Sequence, residues 1–126
     1  MIKIIEIGIP VYKAKDTLPA LLDSLVAQTK KNFIVCLSID GDNEDYTDFI
    51  QTYTSRGLKM RIINAAENCG PGIARQRVLD STQCDFIMFA DADDILLPRA
   101  VEVLSRGITS TNYDILRSSF IRETPG

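Results

Sequence analysis

The sequence predicts an α/β fold: a mostly parallel sheet with helices on both faces. Three observations predict it. Short apolar runs, rich in isoleucine, valine and phenylalanine, recur along the chain and end in loops of aspartate, asparagine and glycine. Between them lie segments whose apolar residues are spaced three and four apart, as one-sided helices require. The two kinds of segment alternate throughout, which implies right-handed βαβ crossovers and parallel pairing.

The first strand is predicted over residues 2–9, a run dominated by isoleucine. Pro10 has no N–H for a ladder, so pairing is expected to stop there. Asp16 or Thr17 is placed to cap a helix with Pro19 in its first turn. Leu18, Leu21, Leu22, Leu25 and Val26 share one face, and that helix should end near Thr29. Residues 33–39 form the second strand, closed by Asp40-Gly41-Asp42. Tyr46, Phe49, Ile50 and Tyr53 have helical spacing, with Gly57 as C-cap. A shorter third strand spans residues 59–64. The loop over 65–72 then leads into a helix from about Ile73 to Ser81, with Ile73, Arg77 and Val78 on one face.

The run from Asp85 to Ala90 is short and aromatic, and reads as a buried fourth strand. Leu97, Ala100, Val101, Leu104 and Ile108 mark a fourth helix. Residues 113–122 read as a last strand and 124–126 as a frayed end. Ile115, Leu116, Phe120 and Ile121 alternate poorly there, so uncovered apolar surface and self-association are expected.

The 126 residues suffice for one domain with a real core. Hydrophobic content of 45% and charged content of 25% are ordinary for a globular protein. A net charge of −3 advertises no nucleic-acid partner. Three cysteines without regular spacing, and no histidine, argue against a disulfide framework and a zinc cluster. Cys36 and Cys84 read as buried reduced thiols. No signal peptide or membrane-length apolar run is visible, so the default location is cytoplasmic, including the cytoplasmic membrane face.

The fourth strand ends in Asp91-Ala92-Asp93-Asp94, three carboxylates within four positions. Open parallel sheets place their ligand crevice at such strand ends. Clustered anions call for an opposite charge, and oxygen ligands suit Mg²⁺ or Mn²⁺. The alternative is that Asp93 or Asp94 caps the helix that follows. If strands one to three are laid out one way and strand four returns to the other side of strand one, Pro10-Val11-Tyr12, Asp40 and Asp91-Ala92-Asp93 converge on one crevice. There Tyr12 can stack on a base and Asp40 can accept a hydrogen bond from a base or ribose. A loop aromatic over the core and an ordinary turn residue are the plain alternatives. Arg75 suits an anion near a helix N-terminus, although Arg75 and Arg77 also fit solvated helix positions.

Ile9-Pro10-Val11-Tyr12, Leu25 with Gln28-Thr29, Ile39-Asp40-Gly41, Asn68-x-Gly70, Ala74-Arg75 and Asp91-Ala92-Asp93-Asp94 occur in order. Together they closely resemble the nucleotide-binding half of the family-two glycosyltransferases, which have the Rossmann-like GT-A fold. The resemblance runs from Ile2 to about Arg122. It implies inverting transfer of a sugar from a nucleotide-diphosphate donor to a hydroxyl of a glycan or lipid-linked acceptor. Pro10, Val11 and Tyr12 would line the base and ribose pocket, and Asp40 would contact the base. Arg75 would lie near the diphosphate or base edge. Asp91 would face the ribose and donor sugar, with Ala92 beside it. Asp93, with Asp91, would hold a divalent cation, Mn²⁺ or Mg²⁺, on the diphosphate.

Three positions depart from the family pattern: Lys13 and Gln76 each replace an asparagine, and Ile39 an acidic residue. The general base is expected beyond Gly126, which makes the chain a donor-binding half that does not transfer sugar alone. The rival is a non-catalytic nucleotide- or metal-binding module or partner subunit. A Rossmann oxidoreductase is disfavoured, because the first turn lacks Gly-x-Gly-x-x-Gly. A phosphatase with an aspartyl nucleophile would also use Asp-x-Asp.

Overall fold

The computed structural model describes residues 4–110. Among them strand and helix alternate strictly: β1 (Ile5–Val11), α1 (Leu18–Val26), β2 (Phe33–Asp40), α2 (Thr47–Ser55), β3 (Met60–Ala65), α3 (Pro71–Ser81), β4 (Phe86–Phe89) and α4 (Ala100–Ser110). The sheet order is β3-β2-β1-β4, and every pairing is parallel. The chain therefore reverses its winding between β1 and β4, as expected from the sequence. The last predicted strand, and the apolar surface expected on it, lie outside the described residues.

The period of two along β1 and β2 sorts the core. Ile5, Ile7, Ile9 and Val11 pack with Val35, Leu37 and Ile39 against the leucine face of α1. Tyr46, Tyr53 and Val101 complete this apolar layer from the α2 and α4 side. The other face is covered by α3 and is more polar. Its buried contacts come from Ala74 and Val78. Ser38 on β2 donates to the carbonyl of Ala74 at 2.8 Å. Glu6, 1% exposed, accepts two bonds from Arg61 of β3 at 2.8 and 2.9 Å. Burial pushes the Glu6 carboxyl up, but bonds from Arg61 and Thr82 and the Arg61 charge hold it below the ordinary range.

Several boundaries differ from the sequence expectation. β1 does not stop at Pro10, because Pro10 and Val11 remain in register with Ser38 and Ile39. Backbone groups alternate sides along a strand. Ile5 N–H points to the β2 side, and the Gly8 carbonyl accepts from Ala90 on the β4 side. Pro10 shares the orientation of Gly8, so its missing N–H faces β4, whose ladder has already ended at Phe89. α1 ends at Val26, not near Thr29. The N–H of Thr29 is taken by the Pro98 carbonyl, which pulls the chain out of the helix. Thr17 sits at the N-cap but makes no side-chain capping bond.

β4 was expected to be buried, yet its residues are half-buried and Phe89 is exposed. It is the edge of the sheet among the described residues. Ile73 is exposed, because the inward face of α3 is set by Ala74 and Val78. Leu97 is exposed because it precedes α4, which begins only at Ala100. Cys36 is buried as expected, and burial pushes its thiol up to about 11. Cys84 is only half-buried, since it lies in the turn before β4 rather than in a strand. No helix among the described residues is long and apolar enough to cross a membrane.

Candidate functional site

A cleft of about 390 Å³ opens where the C-terminal ends of β1, β2 and β4 diverge. Pro10, Val11, Tyr12, Asp40, Arg75, Asp91, Ala92 and Asp93 all line it. Residues up to 83 positions apart are thus brought together (Pro10 and Asp93). Asn68, Gly70, Pro71 and Ala74 complete the wall. Asn68, Gly70 and Ala74 belong to motifs visible in the sequence and Pro71 to the loop between them, but no local signal marks any of the four as a ligand contact.

Asp40 terminates β2 and is buried. Its carboxylate accepts from the N–H groups of Cys69 and Gly70, the latter at 2.8 Å, and from Arg77 at 2.6 Å. Burial pushes this carboxyl up, but the bonds from Cys69, Arg77 and Gly70 outweigh it and leave it below the ordinary range. Arg77 is therefore not a solvated helix position: it is held in an ion pair with Asp40. Sequence reasoning missed the pair, whose members are 37 residues apart.

The same corner is drawn tight by Gly41. Its φ of +62° suits glycine, and a Cβ there would lie 2.1 Å from the backbone nitrogen of Asn68. Asn68 in turn donates to the Asp40 carbonyl at 3.0 Å. The 67–70 loop is thus pressed onto the end of β2 and delivers the chain to α3. Pro71 occupies its first turn, where no intrahelical N–H is needed. The N-terminal turn of α3 and the Arg75 guanidinium both face the cleft, a combination suited to an anion.

Tyr12 is 47% exposed, so it does not cover the core as the plainer reading held. The Lys13 ammonium lies 5.4 Å from the centroid of its ring.

The acidic loop forms the opposite wall. Asp91, Asp93 and Asp94 each present an oxygen within 4.8 Å of the others, and all three are exposed. Asp94 accepts from the Asp91 N–H at 2.8 Å, and its own N–H donates to the Asp91 carbonyl at 2.9 Å. This closes a tight turn. Neither Asp93 nor Asp94 caps α4. That helix begins six positions later, and Gln28 accepts from the Val101 N–H at its start. Three exposed carboxylates, with no nitrogen or sulfur donor, are a ligand set that fits Mg²⁺ or Mn²⁺. Arg75 reaches across to Asp91 at 2.7 Å.

Residues 6–124 match the family described as Glycosyl transferase family 2. The chain belongs to that family. A family relative in Escherichia coli, the uncharacterized glycosyltransferase YibD, is 25% identical over 111 residues, covering 88% of this chain and 32% of that protein. The poly(ribitol-phosphate) beta-glucosyltransferase of Bacillus spizizenii is 32% identical over 96 residues, covering 73% of this chain and 15% of that one. The chain thus spans about a third or less of the length of these curated relatives.

Solved structures share the fold. S. aureus TarS 1-349, in complex with UDP-GlcNAc, superposes with a TM-score of 0.81 at 21% identity, covering 98% of this chain and 37% of that one. The mannosyltransferase PcManGT of Pyrobaculum calidifontis, in complex with GDP-Man and Mn²⁺, gives 0.70 at 16% identity, covering 90% and 34%. The architecture is that of the GT-A glycosyltransferases.

Proposed function

We propose that this chain is a single domain forming the donor-binding half of a glycosyltransferase. It would bind a nucleotide-diphosphate sugar with a divalent cation, for inverting transfer to an acceptor hydroxyl. The observation that carries the reading is the cleft itself. It unites an exposed aromatic ring, a fixed buried carboxylate, a helix N-terminus with a guanidinium, and three clustered carboxylates. The UDP-GlcNAc complex of TarS and the GDP-Man and Mn²⁺ complex of PcManGT support it by analogy of fold.

The roles follow from the chemistry of each wall. Tyr12 stacks on the base, with Pro10 and Val11 shaping the pocket beneath it. An ionised carboxylate offers about four acceptor sites. Asp40 already accepts from Gly70, from Arg77 and from a Cys69 N–H shared between its two oxygens, so a base N–H or ribose hydroxyl would take over part of the Cys69 contact. Arg75 and the first turn of α3 bind the diphosphate oxygens. Asp91 and Ala92 border the ribose and donor sugar. Asp93, with Asp91, would hold the cation, which when bound supplies Lewis-acid neutralisation of the departing diphosphate. Holding the donor at both ends fixes its anomeric carbon for attack.

The test is a thermal-shift and calorimetry series of nucleoside diphosphates and their sugars, with and without Mn²⁺. A ligand specific to the folded state stabilises by about 2.7 kcal/mol at a hundred times its dissociation constant. Binding that needs both the nucleoside and Mn²⁺ is expected. No stabilisation by any nucleotide at millimolar concentration would refute the reading.

A further inference from the structure

We infer that Asp42, together with Tyr46, positions the nucleobase wall by fixing the loop that carries Tyr12. The inference rests on the donor-site reading and assigns a role to two residues that do not line the cleft.

Tyr12 stands at the rim, and its hydroxyl has no hydrogen-bond partner among the described residues. Its pose therefore depends on the backbone that follows. Lys13 has a φ of +49°, a left-handed conformation uncommon outside glycine. Something must hold it there. Its N–H donates to Asp42 Oδ2 at 2.6 Å. The next N–H, that of Ala14, donates to the Tyr46 hydroxyl at 3.0 Å. Tyr46 donates its own proton to the same Asp42 Oδ2 at 2.6 Å. Two consecutive amides after Tyr12 thus end on one aspartate–tyrosine pair.

That pair is itself anchored. The N–H of Glu44 donates to Asp42 Oδ1 at 2.9 Å, which sets the carboxylate plane. Tyr46 is 2% exposed, and its ring packs in the apolar core beside Phe49. The staple joins the loop after β1 to the loop after β2, two residues beyond Asp40. Both sides of the base pocket therefore share one mechanical reference. The left-handed turn also carries the Lys13 side chain back over Tyr12, so its ammonium covers one face of the ring. The ring also lines the cleft, where a planar ligand would stack on it.

Calorimetry in saturating Mn²⁺ with UDP, GDP and inorganic pyrophosphate tests this. Asp42→Ala should weaken the preferred nucleoside diphosphate about tenfold, equivalent to 1.4 kcal/mol, and leave pyrophosphate unchanged. In a Tyr12→Ala background, Asp42→Ala should cause no further loss, because its effect passes through the ring. Tyr46→Phe keeps the core filled and should weaken nucleoside binding in the same direction but less. Asp42→Asn keeps an acceptor for Lys13 and should restore part of the affinity.

Equal losses in the wild-type and Tyr12→Ala backgrounds would overturn the inference, as would an equal loss of pyrophosphate. If Asp42→Ala does not fold, Tyr46→Phe with unchanged nucleoside affinity has the same force. A wild-type protein that binds no nucleoside diphosphate removes the donor-site reading and this inference with it. Binding by wild type with an unaffected Asp42→Ala removes only the inference.

Discussion

The guanidinium of Arg75 and the carboxylate of Asp91 meet at 2.7 Å, joining α3 to the acidic loop along one side of the cleft. Asp91 also belongs to the carboxylate triad. A cation drawing on Asp91 competes with Arg75 for it. Arg75→Ala should therefore raise affinity for Mn²⁺ alone by about two- to fivefold, the range of an exposed ion pair. The same variant should bind nucleoside diphosphate more weakly. Manganese titration followed by electron paramagnetic resonance checks the first effect, and unchanged or weaker Mn²⁺ binding would contradict it.

Asp93 is exposed and has no hydrogen-bond partner among the described residues. Asp93→Asn should cost little stability, within about 0.5 kcal/mol as for most surface changes. It should nevertheless abolish the Mn²⁺-dependent part of nucleoside diphosphate binding. Urea unfolding and calorimetry separate the two. Equal diphosphate affinity in saturating Mn²⁺ would remove Asp93 from the ligand set.

The Asp40 carboxyl titrates below its ordinary range in the folded protein, because bonds from Cys69, Arg77 and Gly70 outweigh burial. The folded state then binds fewer protons than the unfolded one. Asp40 contributes stability that is full above the unfolded value of about 3.9 and is lost as pH falls through its lower folded value. Asp40→Asn should lower the melting temperature at pH 7 and flatten the acid limb of the stability profile. A parallel acid limb in the variant would show that Asp40 is not the group responsible.

At Gly41 a Cβ would collide with the Asn68 backbone, and the left-handed φ adds strain. Gly41→Ala should destabilise by about 1–3 kcal/mol. It should also weaken nucleoside binding, since the 67–70 loop that fixes Asp40 would be displaced. A variant with wild-type urea midpoint would contradict the close approach.

The layout of the molecule was legible because it rests on periodicity. The alternation of apolar runs carried the α/β class, and strand ends rich in Asp and Gly carried the cleft, whereas the order β3-β2-β1-β4 is visible only in the sheet itself. Polar pairings were not legible. Glu6 and Arg61 are 55 residues apart, and nothing local marks Glu6 in an isoleucine strand as a buried partner. In the sequence Arg77 fits a solvated helix position for the same reason: its partner Asp40 lies on a strand 37 residues away. Pro10 shows a different limit. Residue type says that a donor is missing, but only the sheet shows that nothing on that side needed one. The extent of β4 burial depended on neighbours that its own four residues cannot report.

α3 is fastened differently from α1. α1 is moored by four buried leucines, whereas α3 buries only Ala74 and Val78. Much of its attachment is polar: Ser38 to the Ala74 carbonyl, Arg77 to Asp40, and Arg61 to Ser81. Such an element can undock as a unit while the sheet stays folded. Its amides should exchange with deuterium well before those of β1 and β2, and occupied cleft should slow them selectively. Because Arg75 and Arg77 ride on this helix, each excursion would withdraw the guanidinium proposed for the diphosphate and release Asp40 from its ion pair. Residence time of a bound donor would then be limited by the breathing of a single helix.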